Sequence, residues 1–149
     1  MVQEYKVKVY RNMTEWHNLE GQLHRVDGPA VECSDGTKSW WINGQRHRED
    51  GPAFEWSNGS KAWYVNDQRH RVDGPAIERS NGVNQWWVND ELHRVDGPAI
   101  EFSDGTKEWW IEGKQLTEDE FNEKVNPIQE LTVEEISKRL GYEIKVIKG

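Results

Sequence analysis

From Leu23 to Lys114 the pattern of apolar and polar positions is written four times, in units of equal length: Leu23–Gln45, Arg46–Gln68, Arg69–Glu91 and Leu92–Lys114. Within each unit a short apolar–polar alternation such as Ala30-Val-Glu-Cys33 is followed by Asp35-Gly36 and then by Thr37-Lys-Ser-Trp-Trp-Ile42. The counterparts of Asp35-Gly36 are Asn58-Gly59, Asn81-Gly82 and Asp104-Gly105. Two short alternating runs on either side of Asn-Gly or Asp-Gly predict a β-hairpin, because a two-residue type I′ turn requires positive φ at both central positions. A fixed period of this length predicts a repeat architecture in which each unit is one supersecondary element and buries its apolar face only against its neighbours.

A two-residue turn fixes the register: Ser34 then opposes Thr37, Glu32 opposes Ser39, Val31 opposes Trp40 and Ala30 opposes Trp41. Side chains alternate across a strand, so this register sorts each hairpin onto two faces. One face collects Val31, Trp40 and Ile42, then Phe54, Trp63 and Val65, then Ile77, Trp86 and Val88, then Ile100, Trp109 and Ile111. It is apolar throughout and is expected to be buried. The other face collects an Ala, a Glu and an aromatic residue per unit. Its aromatic stripe, Trp41, Tyr64, Trp87 and Trp110, flanked by Glu55, Glu78 and Glu101, is the candidate partner-binding surface. The competing reading is that each ring lies over its Ala and the connecting loop.

The connector carries His-Arg-x-Asp-Gly-Pro-Ala in every unit. A His-Arg-Asp set suits phosphate binding or proton transfer. A catalytic group, however, is needed once, and four identical copies point to building the repeat. His24, Arg25 and Asp27, with His47, Arg48 and Asp50, His70, Arg71 and Asp73, and His93, Arg94 and Asp96, are therefore expected to be structural. The arginines would bridge adjacent repeats to Asp or Glu. Histidines a full repeat apart lack the spacing of a compact metal site, and neither a metal nor a cofactor is expected.

The two ends depart from the period. Residues 1–22 are expected to form a degenerate starting hairpin, with a strand over Glu4–Tyr10. Trp16 falls one place out of step with Trp40, which predicts a bulge or a divergent edge strand. In residues 115–149, Thr117-Glu-Asp-Glu120 and Thr132-Val-Glu-Glu135 have the capping-box pattern. The second opens a helix with Val133, Ile136 and Leu140 on one face and Gly141 as its stop, and Tyr142–Ile147 reads as a final strand. The expected fold is mostly β: tandem 23-residue β-hairpin repeats in an elongated twisted antiparallel sheet, with a small C-terminal helix-plus-strand cap. Docking of a partner by the tail helix is the alternative role.

Net charge narrows the partners. The chain of 149 residues carries −8, and no segment of it is basic, so duplex nucleic acid and anionic membranes are disfavoured. An acidic surface attracts basic partners or mimics a nucleic acid, though −8 is also ordinary for a soluble protein. Nine Trp argue against disorder. Cys33 has no internal disulfide partner, and its counterparts Trp56, Arg79 and Phe102 mark it as a packing position. There is no bilayer-length apolar run, and the first residues do not read as a signal peptide, so a cytoplasmic protein is expected.

Trp-Tyr-Val-Asn-Asp-Gln-Arg-His-Arg-Val-Asp-Gly at 63–74, followed by Ser80-Asn-Gly82 and Trp86-Trp87, resembles the MORN repeat, which has the same length and one hairpin per unit. Arg replaces the family's Gly after His at positions 25, 48, 71 and 94, and Trp stands where Tyr and Gly are usual. The resemblance is thus to a His-Arg-x-Asp-Gly-Pro-Ala variant common in bacterial and giant viruses. It covers residues 23–114 well, 1–22 weakly and 115–149 not at all. It implies a single-layer antiparallel sheet and a non-enzymatic interaction module. A viral chain of this kind would bind and inhibit a host defence protein by occlusion, in the host cytoplasm. Lipid binding, proposed for some members of the family, conflicts with the acidic balance. Two other functions are compatible with the residues: sequestration of a nucleotide-like ligand stacked on Trp41, Trp87 and Trp110, and a structural or assembly role. An open sheet with one apolar face also favours a homodimer through that face.

Overall fold

The computed structural model describes residues 4–127, 131–141, 143 and 145. Eleven strands form one open antiparallel sheet, and their spatial order is their order along the chain. Lys6–Val9 and Met13–His17 come first; the repeat strands follow in pairs, from Val31–Cys33 with Lys38–Ser39 to Ile100–Glu101 with Lys107–Ile111; Lys114–Leu116 closes the sheet. Each interior unit also carries a second, smaller hairpin: Trp41–Ile42 with Gln45–Arg46, Tyr64–Val65 with Gln68–Arg69, and Trp87–Val88 with Glu91–Leu92.

The existence of the repeat hairpins matches the sequence pattern, but their turns and register do not. Val31 opposes Ser39 and Glu32 opposes Lys38, one residue away from the expected pairing. The turn is a three-residue loop: the Gly36 amide donates to the Cys33 carbonyl at 3.0 Å, and the Cys33 amide donates to the Thr37 carbonyl at 2.8 Å. Only its glycine has positive φ, 93° at Gly36, while Asp35 stays on the ordinary side and its carboxylate accepts the Thr37 amide at 2.9 Å. The loop Ser-Asp/Asn-Gly is a type I turn plus a left-handed Gly rather than a type I′ turn. The two-residue turns with positive φ at both positions lie in the small hairpins, at Asn43-Gly44, Asn66-Asp67, Asn89-Asp90 and, in the last unit, Glu112-Gly113. Glu112 is the poor fit among them, with φ 52°. Left-handed φ strains an ordinary L-residue, and Asn tolerates it best. Glu112→Asn is therefore expected to stabilise the chain by about 0.5–1 kcal/mol, read as a higher urea midpoint at unchanged slope.

The one-residue shift in register re-sorts the packing, because period-two side chains change neighbours with every slip. The face expected to be buried is only half-buried: of Val31, Trp40, Ile42 and their counterparts, only Ile100 and Ile111 are buried. The fully enclosed positions are small ones. Ala30, Ala53, Ala76 and Ala99 have no exposed surface, and neither does Ala62.

At the N-terminal end Trp16 does align with Trp40. Its amide donates to the Ala30 carbonyl at 2.8 Å, as that of Trp40 does to Ala53. The extra residue sits in the following loop, where Gly21 (φ 87°) donates to Asn18 and Asn18 to Gln22. The longer loop, rather than a bulge within Met13–His17, absorbs the offset.

Both capping boxes form, opening α1 (Glu118–Val125) at Thr117 and α2 (Val133–Leu140) at Thr132, and α2 ends on left-handed Gly141. Helix α1 packs on Lys107–Ile111 and Lys114–Leu116 and buries Phe121. None of the residues of α2 is buried. The strand expected over Tyr142–Ile147 lies outside the described residues, apart from single positions. Among the described residues no helix is long and apolar enough to cross a membrane.

Candidate functional site

The connector loops are organised by their arginines. Arg71 donates from Nε to Asp73 (2.9 Å) and from Nη1 to the Pro75 carbonyl (3.2 Å) and to Glu78 (2.8 Å). Its guanidinium carbon lies 4.0 Å from the Trp63 ring centroid. The same set recurs for Arg25, Arg48 and Arg94, with Asp27, Asp50 and Asp96, with Glu32, Glu55 and Glu101, and over Trp16, Trp40 and Trp86. The carboxylates thus belong to the arginine's own unit, and the link to the preceding unit is a cation–π contact. This corrects the expected Asp or Glu bridge between repeats: the edge of each guanidinium is taken up by carboxylates of its own unit, and its face is left to the preceding ring.

The glycine of His-Arg-x-Asp-Gly-Pro-Ala is set by this clamp. A Cβ on Gly74 would sit 2.8 Å from the Arg71 guanidinium carbon, and one on Gly51 or Gly97 2.9 Å from theirs. The histidines hold the small hairpins. Nδ1 of His24, His47, His70 and His93 accepts the amide of Asn43, Asn66, Asn89 and Glu112, at 3.0–3.3 Å.

Arg25, Arg48, Arg71 and Arg94 hold Asp27, Asp50, Asp73 and Asp96 below the usual carboxylate range, chiefly by hydrogen bonding. A carboxylate whose folded pKa is depressed stabilises the fold fully above its unfolded value of about 3.9 and ceases to do so as pH falls through the lower folded value. These carboxylates are largely exposed and screened, so the melting temperature is expected to decline only slightly on their account below about pH 4. An Asp73→Asn variant should lose less over that range in thermal scans at pH 6 and pH 3.

The aromatic stripe is held in place from within. The indole N–H of Trp41 donates to Ser39 at 2.7 Å, that of Trp87 to Gln85 at 3.2 Å and that of Trp110 to Glu108 at 2.9 Å. Arg46 stacks on Tyr64 at 4.0 Å and Arg69 on Trp87 at 3.5 Å, and these arginines also pair with Asp67 and Asp90. All four stripe residues are half-buried. Glu55, Glu78 and Glu101, expected to flank the stripe as partner contacts, are the clamp carboxylates.

A second surface was not legible as one. Between successive loops lie three open grooves of about 590, 610 and 670 Å³. Their floors are Trp40 and Ile42, Trp63 and Val65, and Trp86 and Val88, residues assigned from the sequence to the buried face. Their rims carry the variable residue of His-Arg-x-Asp. Val26, Val72 and Val95 stand there 58%, 83% and 57% exposed, with Glu49 in the second unit. An apolar residue retained at an exposed loop position in three units out of four was the available signal. Among the described residues no group of three or more His, Cys, Asp or Glu is placed to hold a metal ion. No family model and no curated protein matches the chain.

Proposed function

We propose that the chain is a non-enzymatic binding module that holds a protein partner along its row of inter-loop grooves. The observation that carries this reading is the recurrence, between successive loops, of a groove lined by a Trp ring and an Ile or Val, with exposed Val26, Glu49, Val72 and Val95 at the rims. Exposed apolar side chains over aromatic floors are what binding surfaces offer, and polar groups already paired within the protein keep their geometry when a partner arrives. The His-Arg-Asp sets are spent on the fold, which argues against their use in turnover. On the resemblance to viral repeat chains, the partner is a host protein and the effect is inhibition by occlusion.

A tagged pull-down from host lysate tests this, comparing the wild type with a Val72→Lys/Val95→Lys double variant. Both positions are largely exposed, so the fold should change by no more than about 0.5 kcal/mol. The expected result is one stoichiometric protein retained by the wild type and lost by the variant. No protein in either lane would overturn the reading, and a nucleotide in the eluate would then favour sequestration on the aromatic stripe.

A further inference from the structure

We propose that the groove row takes a polyproline II segment carrying a basic side chain at every third residue. The proposal rests on the protein-binding reading and names the partner's chemistry.

The first argument is one of period. Each repeat adds two strands to the sheet, so consecutive grooves recur at about 9.6 Å, twice the strand spacing. A polyproline II helix has three residues per turn at about 3.1 Å each, so equivalent side chains recur at about 9.3 Å. Across the three intervals between four loops the two periods drift by only about 1 Å. The other regular conformations fall out of step: a β-strand returns to the same face every ~6.7 Å and an α-helix every ~5.4 Å.

The second argument is one of surface chemistry. Polyproline II segments bind aromatic-lined grooves, where their ordering before binding limits the entropic cost. Here the grooves are lined by Trp40 and Ile42, Trp63 and Val65, and Trp86 and Val88, each half-buried ring carrying a clamp guanidinium on one face, with exposed Val26, Val72 and Val95 and Glu49 at the rims.

The third argument is charge. The Arg and Asp of each clamp line the grooves together, but they differ in exposure: the arginine side chains are only 19–23% exposed. The Asp side chains are 67%, 86%, 80% and 79% exposed. Glu49 adds a further carboxylate at the grooves on either side of it. A row of acidic rims at the groove period selects cations at the same period.

The test is fluorescence anisotropy of the full chain with labelled (Pro-Pro-Arg)₄ at 0.15 M salt. The comparison peptides are (Gly-Gly-Arg)₄, which keeps charge and spacing but not the helix, (Pro-Arg)₄, which keeps charge and proline but not the period, and (Pro-Pro-Glu)₄. The expected result is binding of (Pro-Pro-Arg)₄ at least about ten-fold tighter than any of the others, with a similar loss in the Val72→Lys/Val95→Lys variant. Equal binding of (Gly-Gly-Arg)₄ or (Pro-Arg)₄ would reduce the effect to charge and overturn the proposal. If no peptide binds while the double variant still loses a captured protein, the polyproline assignment falls and the protein-binding reading stands.

Discussion

Arg71→Ala is expected to destabilise the chain by about 2–4 kcal/mol. The side chain is only 22% exposed and makes contacts of three kinds. The hydrogen bond to Glu78 at 2.8 Å involves two ionised groups, a type worth about 1.5–3 kcal/mol. Stacking on Trp63 at 4.0 Å adds about 0.5–2 kcal/mol. The ion pair with Asp73 counts for little, because that carboxylate is 80% exposed and screened. Arg71→Lys should recover only a small part of the loss, since an ammonium cannot stack flat and reach three acceptors from one plane. Urea unfolding followed by Trp fluorescence measures both variants, through the midpoint at constant slope. A loss under about 1 kcal/mol for Arg71→Ala would show that the clamp adds little to the strand pairing that joins the repeats.

Gly74→Ala tests the same clamp from the other side. Its φ is not in the left-handed region, so the backbone accepts Ala; the obstacle is the Arg71 guanidinium carbon at 2.8 Å. An unrestrained arginine would swing away at little cost, but this one is fixed on four partners. Gly74→Ala should cost about 1–2 kcal/mol in the wild type and close to nothing in an Arg71→Ala background, a coupling that a double-mutant cycle isolates. Additive costs would mean that the glycine is needed for a reason other than the guanidinium.

The parts of this fold legible in the sequence are those in which a residue type has one physical use. The repeat period, the hairpin per unit, both capping boxes and the left-handed Gly141 are of this kind. The turn assignment misled because Asp-Gly serves two geometries. In Ser34-Asp35-Gly36 the glycine alone is left-handed, whereas in Asn43-Gly44 both residues are. In Asn66-Asp67 and Asn89-Asp90 the two-residue turn carries no glycine at all. Placing the tight turn at the wrong end of the unit moved the register by one residue, and with it the supposed buried face. The same shift hides the grooves, because Trp40, Trp63 and Trp86, which line them, read as core positions on an apolar face. The enclosed side chains among the described residues are mostly small, and cation–π stacking covers one face of these rings.

Phe121→Ala is expected to cost about 3–5 kcal/mol, the range for truncating a buried aromatic, and to open the C-terminal end of the sheet. The arginine clamp explains why the cap is needed there. Trp16, Trp40, Trp63 and Trp86 each lie under the arginine of the next unit, but one repeat length beyond Arg94 stands Thr117, the N-cap of α1. The helix therefore begins where a fifth clamp would have formed. It packs on the last two strands, where Phe121 is 4% and Ile111 5% exposed. Without the phenylalanine the terminal strands lose their cover, and repeat sheets with an open end unfold from it or pair with another copy. Hydrogen exchange should show faster exchange confined to residues 107–125 at low protein concentration, and sedimentation should show self-association as concentration rises. Leu140→Ala provides the contrast: Leu140 is 52% exposed in a helix that buries nothing, so its truncation should cost less than about 0.5 kcal/mol. Equal losses at the two positions would assign the capping to both helices rather than to α1.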